Sequence, residues 1–275
     1  RERIEAPGVH GTRTLRYIPA RVQDNPHLSA RYRLELASKP AALRDALLYG
    51  RWDAFEGQVF TEWRDDPKGY KSGYNTHVVR PFAVPASWRR FRSFDFGYTR
   101  PFSVGWWAMD ERGVLYRYRE WYGCTGTPNE GLRLTPTEIA RHIAGIERAE
   151  EPGRHITGYA DPSIWDGSRG ESIAAQMQQE GVYFLPAENA RLPGLMQVHR
   201  RLAFDENGVA GVKVFSTCRD SIRTLPSLCY DPQKCEDVDT AAEDHIYDEW
   251  RYLFMAHPLP APKPKPRLRK YSPLD

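Results

Sequence analysis

The sequence contains no run approaching the roughly 18 apolar residues that a membrane-spanning helix requires. Its opening residues, Arg1-Glu2-Arg3, are charged where a secretory signal would carry an apolar core. A soluble, intracellular protein with no membrane partner is therefore expected. Cysteine is scarce: Cys124, Cys218, Cys229 and Cys235 are the only four among 275 residues, and none forms a CxxC pair. That spacing argues against a cysteine zinc site and against a disulfide framework, leaving free thiols in a reducing compartment. Charge of one sign is also lacking. The formal net charge is only +3, so composition alone does not mark a nucleic-acid binder. No GxxxxGK[ST] segment occurs, so the phosphate-cradling loop of an ATPase is absent and ATP hydrolysis is not assigned to these residues. There is no initiator methionine, and the chain is expected to be a piece of something longer. What is present is a folded protein's composition, 40% hydrophobic and 12% aromatic, in a chain long enough for one large domain plus an appendage.

Residues 1–60 do not read as a complete domain. Thr14–Ile18 suits a strand and Asp24-Asn25-Pro26-His27 is turn chemistry, while Leu28–Leu36 and Ala41–Leu48 have helical spacing with Gly50 as a C-cap. Residues 61–90 are polar and rich in Gly and Pro, and read as a linker with a strand near His77–Phe82. From Phe91 the pattern changes. Strands are expected at Phe91–Phe96, Ser103–Met109 and Val114–Trp121, the last two joined by the hairpin loop Asp110-Glu111-Arg112-Gly113. A helix follows from Thr135 to about Glu150, with Thr135 as N-cap, Pro136 at N1, Glu138 at N3 and an Ile139/Ile143/Ile146 stripe. Strand Ile156–Ala160, helix Glu171–Glu180, strand Val182–Leu185, helix Leu195–Phe204, strand Val212–Phe215, helix Arg219–Leu228 and a last helix from about Thr240 to Met255 complete residues 91–256. Residues 257–275, rich in Pro and Lys, can only be extended chain. A meander, a helix and then alternating strands and helices give a mixed α/β sheet with helices on both faces, the element order of an RNase H-like fold.

Acidic residues stand in suggestive places along this order. Asp95 lies at the carboxyl end of the first core strand, beside a glycine, and Asp161 ends another strand. Asp244 and Asp248 lie four apart near the start of the last helix, on one face. Groups at the carboxyl ends of adjacent strands converge on one crevice in an open α/β sheet. Carboxylates gathered there repel one another unless divalent cations neutralise them, and hard oxygen donors suit Mg²⁺ or Mn²⁺. Two such ions can activate water and stabilise a leaving oxygen in phosphodiester cleavage. Each acid taken singly is equally a strand-end turn residue or, for Asp244, an early-helix acid favoured by the macrodipole. Asp166 and Glu171, near Asp161, read as surface.

The segments Ser93-Phe94-Asp95-Phe96-Gly97-Tyr98, Gly158-Tyr159-Ala160-Asp161-Pro162-Ser163, Asp237-Val238-Asp239-Thr240 and Glu243-Asp244-His245-Ile246-Tyr247-Asp248-Glu249-Trp250-Arg251-Tyr252 resemble the nuclease domain of the terminase large subunit of tailed bacteriophages. Upstream, Tyr17-Ile18-Pro19-Ala20, Asp24-Asn25-Pro26, Leu48-Tyr49-Gly50-Arg51-Trp52-Asp53 and Gly57-Gln58-Val59-Phe60 resemble the end of that family's packaging ATPase and the start of its nuclease. The resemblance covers about residues 13–256, and its DHxxD…RY motif is the most specific part. It implies an RNase H-like, metal-dependent endonuclease that cuts concatemeric double-stranded viral DNA with two Mg²⁺ or Mn²⁺ ions. Asp95 and Asp161 match the first two catalytic acids. The third maps to Asp248 or Asp244, with His245 assisting. Implied too are a host-cytoplasmic location, an ATPase domain in the intact chain, and a portal protein and small terminase subunit as partners.

Two other readings compete. A resolvase or integrase of the same fold would share the acidic cluster but not the Trp52-Asp53…Gly57 segment, and would prefer branched DNA. A non-catalytic assembly module would use the acids as caps and bind no Mn²⁺. If duplex DNA is held, its phosphates need cations. The candidates are Arg89, Arg90 and Arg92 beside the Asp95 strand, Arg100 just after it and Arg169 after Asp161, with the tail cluster Lys263, Lys265, Arg267, Arg269 and Lys270 adding non-specific attraction.

Overall fold

The computed structural model describes residues 3–8, 11–16, 57–168, 170–231, 233–234 and 236–259. The helices expected at Leu28–Leu36 and Ala41–Leu48, the Gly50 cap, Arg169 and the tail from residue 260 lie outside the described residues. Strands β1 (Arg3–Gly8) and β2 (Gly11–Arg16) form an antiparallel hairpin. Of the strand expected at Thr14–Ile18, Thr14–Arg16 falls in β2 and the rest lies outside the described residues; β1 was not expected.

The centre is a seven-stranded sheet built from β3 (Val78–Val79), β4 (Arg89–Asp95), β5 (Ser103–Met109), β6 (Leu115–Tyr122), β7 (Ile156–Ala160), β8 (Leu185–Pro186) and β9 (Val212–Phe215), in the order β3-β9-β6-β5-β4-β7-β8. Only β5 runs against its neighbours. Every residue of β5 and of β9 is buried, as strands covered on both faces should be. The segment 61–90 is more than the linker that its polarity suggested. Val78 and Val79 pair with β9, and Val79 joins the main core cluster, with Trp63 and Val84 packed against it.

Helices cover both faces. On one side, α1 (Pro136–Glu150) and α2 (Ile173–Gln179) bury Ile139, Ile143 and Met177 against Phe94, Phe102, Val104 and Trp106. The Thr135/Glu138 capping box forms in both directions. On the other side, α3 (Arg191–Leu202) and α5 (His245–Ala256) pack Leu195, Val198, Trp250 and Phe254 on Phe91, Trp107, Leu115 and Val214. A short α4 (Arg219–Thr224) follows β9. No helix among the described residues is long and apolar enough to cross a membrane.

Helix α5 starts five residues later than the sequence suggested. Asp239 Oδ1 accepts the Ala241 N–H at 2.9 Å, and this side-chain turn competes with helix over residues 239–242. Asp244 therefore occupies the N-cap, without making a side-chain cap bond, and Asp248 falls in the first turn.

Beneath α5 lies a buried charge. Glu249, 0% exposed, binds Arg117 Nη1, Ser103 Oγ at 2.9 Å, Trp107 Nε1 at 3.2 Å and the Ser93 hydroxyl. Arg117, also 0% exposed, bridges to Glu120 at 3.3 Å.

A candidate acidic active site

Parallel pairing of β4 with β7 sets Phe94 opposite Ala160, so the next residue on each strand, Asp95 and Asp161, stand side by side at the carboxyl end. Adjacent strands are about 4.8 Å apart, which makes these two carboxylates neighbours by backbone geometry alone. Gly97 permits the turn beyond Asp95, since a Cβ there would run into the carbonyl oxygens of Pro101 and Arg100.

Helix α5 brings its first two turns to the same place. His245 Nδ1 is 3.5 Å from Asp95 Oδ2, and the Tyr252 hydroxyl donates to Asp95 Oδ1 at 3.3 Å. His245, Asp248 and Tyr252, spaced i, i+3 and i+7, share one helical face. Asp161 accepts from the Ser163 N–H at 2.8 Å and from the Asn189 amide at 3.1 Å. Asp248 accepts from Arg251 Nη2 at 2.9 Å and Nε at 3.2 Å, and its other oxygen lies 3.6 Å from Arg191. Asp244, only 5% exposed, has Arg191 Nη2 at 3.9 Å.

The electrostatics follow from this crowding. Burial pushes Asp95 up to about 6, and the charges of Asp248 and Asp161 add to that, while His245 opposes it. Burial and the Asp248 and Asp95 charges push Asp244 up to about 7. Burial also pushes on Asp161, but the bonds from Ser163, Asn189 and Tyr252 outweigh it and hold the group below the usual carboxylate range. Burial would lower His245, yet the surrounding carboxylates Asp95, Asp244 and Asp248 raise it.

Asn129 fixes the histidine. Its Nδ2 donates to the Ala241 carbonyl at 2.9 Å, so the Oδ1 is the atom that faces His245 Nε2, also at 2.9 Å. Nε2 must then carry a proton. With Nδ1 facing a carboxylate, the His245–Asp95 pair is satisfied only by holding a second proton between them. Asn129 sits at φ 63°, a left-handed conformation that Asn tolerates better than most residues.

The donor set is all oxygen apart from one imidazole, which suits a hard divalent cation. Among the described residues, however, no three of the His, Cys, Asp or Glu side chains converge tightly enough to clasp one ion as they stand. The same carboxylates are engaged by other groups: arginines hold Asp248, and His245 and Tyr252 hold Asp95.

Two of the expected phosphate contacts are corrected. Arg90 is buried, bonded to Glu151 at 3.3 Å and to the carbonyls of Trp88, Val84 and Pro85. Arg92, 2% exposed, pairs with Glu147, donates to the Tyr183 carbonyl and lies over the Phe184 ring. Both arginines tie α1 and neighbouring loops to the sheet, so their charge is spent inside the protein. Arg89 is exposed but begins β4, six residues or about 20 Å from Asp95. Arg100 is exposed on the Asp95 loop. Asp166 accepts the Ser168 N–H at 2.8 Å in a local turn, and Glu171 accepts from the Gln179 side-chain amide.

Arg191, Asn129 and Asn189 are site neighbours that the sequence did not single out. Arg191 was out of view because the helix was expected to start at Leu195, whereas it starts at Arg191.

No family model matches the chain and no curated protein matches it. Solved structures do. The large terminase from a thermophilic bacteriophage, in complex with ADP, superposes with a TM-score of 0.56 at 22% identity, covering 86% of this chain and 53% of that one. The same terminase with ATP-γ-S gives 0.54 at 22% identity, covering 85% and 54%. The P22 large terminase nuclease domain gives 0.53 at 16% identity, covering 74% of this chain and 93% of that domain. This likeness establishes the fold: an RNase H-like α/β domain with a mixed seven-stranded sheet. The chain spans about half the length of the thermophilic phage's terminase.

Proposed function

We propose that the chain is the nuclease part of a DNA-packaging terminase large subunit, a divalent-metal-dependent endonuclease that cuts concatemeric duplex DNA in the host cytoplasm. The reading rests above all on one observation. The register of β4 against β7 puts Asp95 beside Asp161, and α5 delivers His245, Asp248 and Asp244 to the same strand ends.

Asp95, Asp161 and either Asp248 or Asp244 are the residues that would hold two Mg²⁺ or Mn²⁺ ions. Bound there, the ions would neutralise the carboxylates and supply an activated water for phosphodiester hydrolysis. The chain's own groups do the rest. His245, oriented by Asn129, holds a proton at Nε2 and another shared with Asp95. Tyr252 fixes the Asp95 rotamer. Arg100, exposed on the loop that leaves Asp95, is the cation we assign to a phosphate. The motor that drives packaging belongs to a separate ATPase domain, and a portal protein and small terminase subunit complete the assembly.

The test is plasmid cleavage with Mn²⁺ against EDTA, for the wild type, Asp95→Ala and Asp161→Ala. Metal-dependent cutting that both substitutions abolish, with the fold intact by circular dichroism, supports the reading. Wild-type cutting by Asp95→Ala would sink it. A strong preference for four-way junctions over linear duplex would favour a resolvase instead.

A further inference from the structure

Helix α3 begins at Arg191 in a way that its own physics does not favour. Its N-cap, Ala190, makes no side-chain cap bond, its first turn holds no acid, and a cation occupies the positive end of the helix dipole. Something outside the helix must compensate. Three carboxylates do so: Asp237 at 2.5 Å, Asp248 at 3.6 Å and Asp244 at 3.9 Å.

The contact with Asp237 is a true hydrogen bond. The approaches to Asp244 and Asp248 are too long for one. Nη2 of Arg191 is buried and has no hydrogen-bond partner. A guanidinium anchored at one end and unsatisfied at the other, close to two acids of the site, is placed by charge rather than by fit.

The neighbouring cation differs. Arg251 is 2% exposed, donates to the Asn189 carbonyl and twice to Asp248, and packs so closely on Gly194 that a Cβ there would meet its side chain. It is fixed. The Arg191 side chain is 32% exposed and can leave.

We propose that Arg191 is the resident counter-ion of the acidic site: its guanidinium holds the position in charge that a divalent ion takes over, and so sets how tightly ions bind. The proposal rests on the reading that these acids hold ions. It accounts for the observation that, among the described residues, no three acids clasp a common point while the arginine is in place. Ion binding then requires Arg191 to give up Asp244 and Asp248 and to remain on Asp237, with its free end turned outward.

Mn²⁺ titration by calorimetry at neutral pH and low salt, on the whole chain, tests this with Arg191→Gln, Arg191→Lys and Asp95→Asn beside the wild type. Removing one unit charge about 6 Å from a divalent ion, with near-aqueous screening, should tighten Mn²⁺ binding by roughly tenfold in Arg191→Gln. Arg191→Lys keeps the charge but not the planar reach across three acids, and should fall between the two. In EDTA, Arg191→Gln should melt below the wild type, and excess Mn²⁺ should close that gap. A purely structural role for Arg191 predicts the opposite, a weaker site in both variants, and that result, or unchanged affinity, overturns the proposal. If Arg191→Gln fails to fold, the Lys variant alone decides, since it must bind tighter than the wild type. Asp95→Asn binding Mn²⁺ as the wild type does, or no heat from any protein, removes the metal reading itself and the proposal with it.

Discussion

Replacing Asp95 by Asn should stabilise the metal-free protein, by an amount that grows with pH. Asp95 is pushed from 3.8 up to about 6 in the folded chain. A raised carboxyl costs nothing while protonated in both states, below pH 3.8. The cost accumulates as pH rises, because the folded state then gives up its proton less readily than the unfolded chain. Each pH unit of separation is worth about 1.4 kcal/mol, so the penalty approaches about 3 kcal/mol once pH exceeds the folded value. Asn cannot ionise, and its carbonyl can still accept from Tyr252. Urea unfolding in EDTA between about pH 4 and pH 8 measures the difference directly. The variant should match the wild type near pH 4 and exceed it by about 3 kcal/mol at pH 8, roughly 6–12 °C in melting temperature for a domain of this size. Excess Mn²⁺ should stabilise the wild type more and shrink the gap. A difference that does not change with pH, or a less stable variant at the alkaline end, would refute the reasoning.

Three further outcomes are expected. Arg117→Met leaves the Glu249 carboxylate buried without its cation and should cost about 3–5 kcal/mol in equilibrium unfolding, whereas adding Glu249→Leu should recover a large part of that loss; simple additivity of the two would refute the pairing. Arg92→Ala should destabilise by about 2–3 kcal/mol and leave the salt dependence of DNA binding untouched, while Arg100→Gln should flatten that slope by about one unit; the reverse pattern would return the buried arginine to the DNA. Asn129→Gly should lower the rate of cutting by roughly 10–100-fold with little change in melting temperature, since it relieves the left-handed backbone but frees the His245 ring; an undiminished rate would remove Asn129 from the site.

Much of the framework was legible because its signals are local. The bounds of β5 were read correctly to the residue, and the Thr135/Glu138 box marked the start of α1, because alternation and capping depend only on near neighbours. Where local signals compete, the reading slipped. Residues 240–244 look helical by composition, but the Asp239 side chain holds the backbone in a turn. The acids at Asp95 and Asp161 were visible as strand ends, and their adjacency follows from a register that no single strand encodes. The arginines were the least legible. The carboxylates that Arg90, Arg92 and Arg191 meet, and the Tyr183 carbonyl that Arg92 meets, lie on segments 46 to 91 residues away. A run of basic residues gives no sign of which charges are already paired.

Adjacent residues of α5 connect the acidic site to the core. Asp248 faces the site, and the next residue, Glu249, points into the sheet, where Ser93, Ser103 and Arg117 bind it. Those partners are not arbitrary in position. Ser103 is the residue paired with Asp95 across β4 and β5, and Ser93 lies two before Asp95, on the same face of β4. Glu249 is therefore bonded to the strand that carries Asp95 and to its neighbour. Apolar packing alone would hold α5 against the sheet but would set its position along the axis weakly, since Leu253 or Phe254 can find another apolar neighbour after a small slide. A charge cannot. Sliding α5 by one residue, about 1.5 Å, would pull Glu249 from its donors and leave a carboxylate buried and unpaired, at a cost of about 3–5 kcal/mol. The buried pair is thus the term that specifies where His245 and Asp248 stand relative to Asp95. It follows that Glu249→Gln, which keeps the shape but weakens the bonds, should impair cutting more than its loss of stability accounts for, measured as the rate at saturating Mn²⁺ at a temperature where both proteins are fully folded. An unaltered rate would show that packing alone sets the helix.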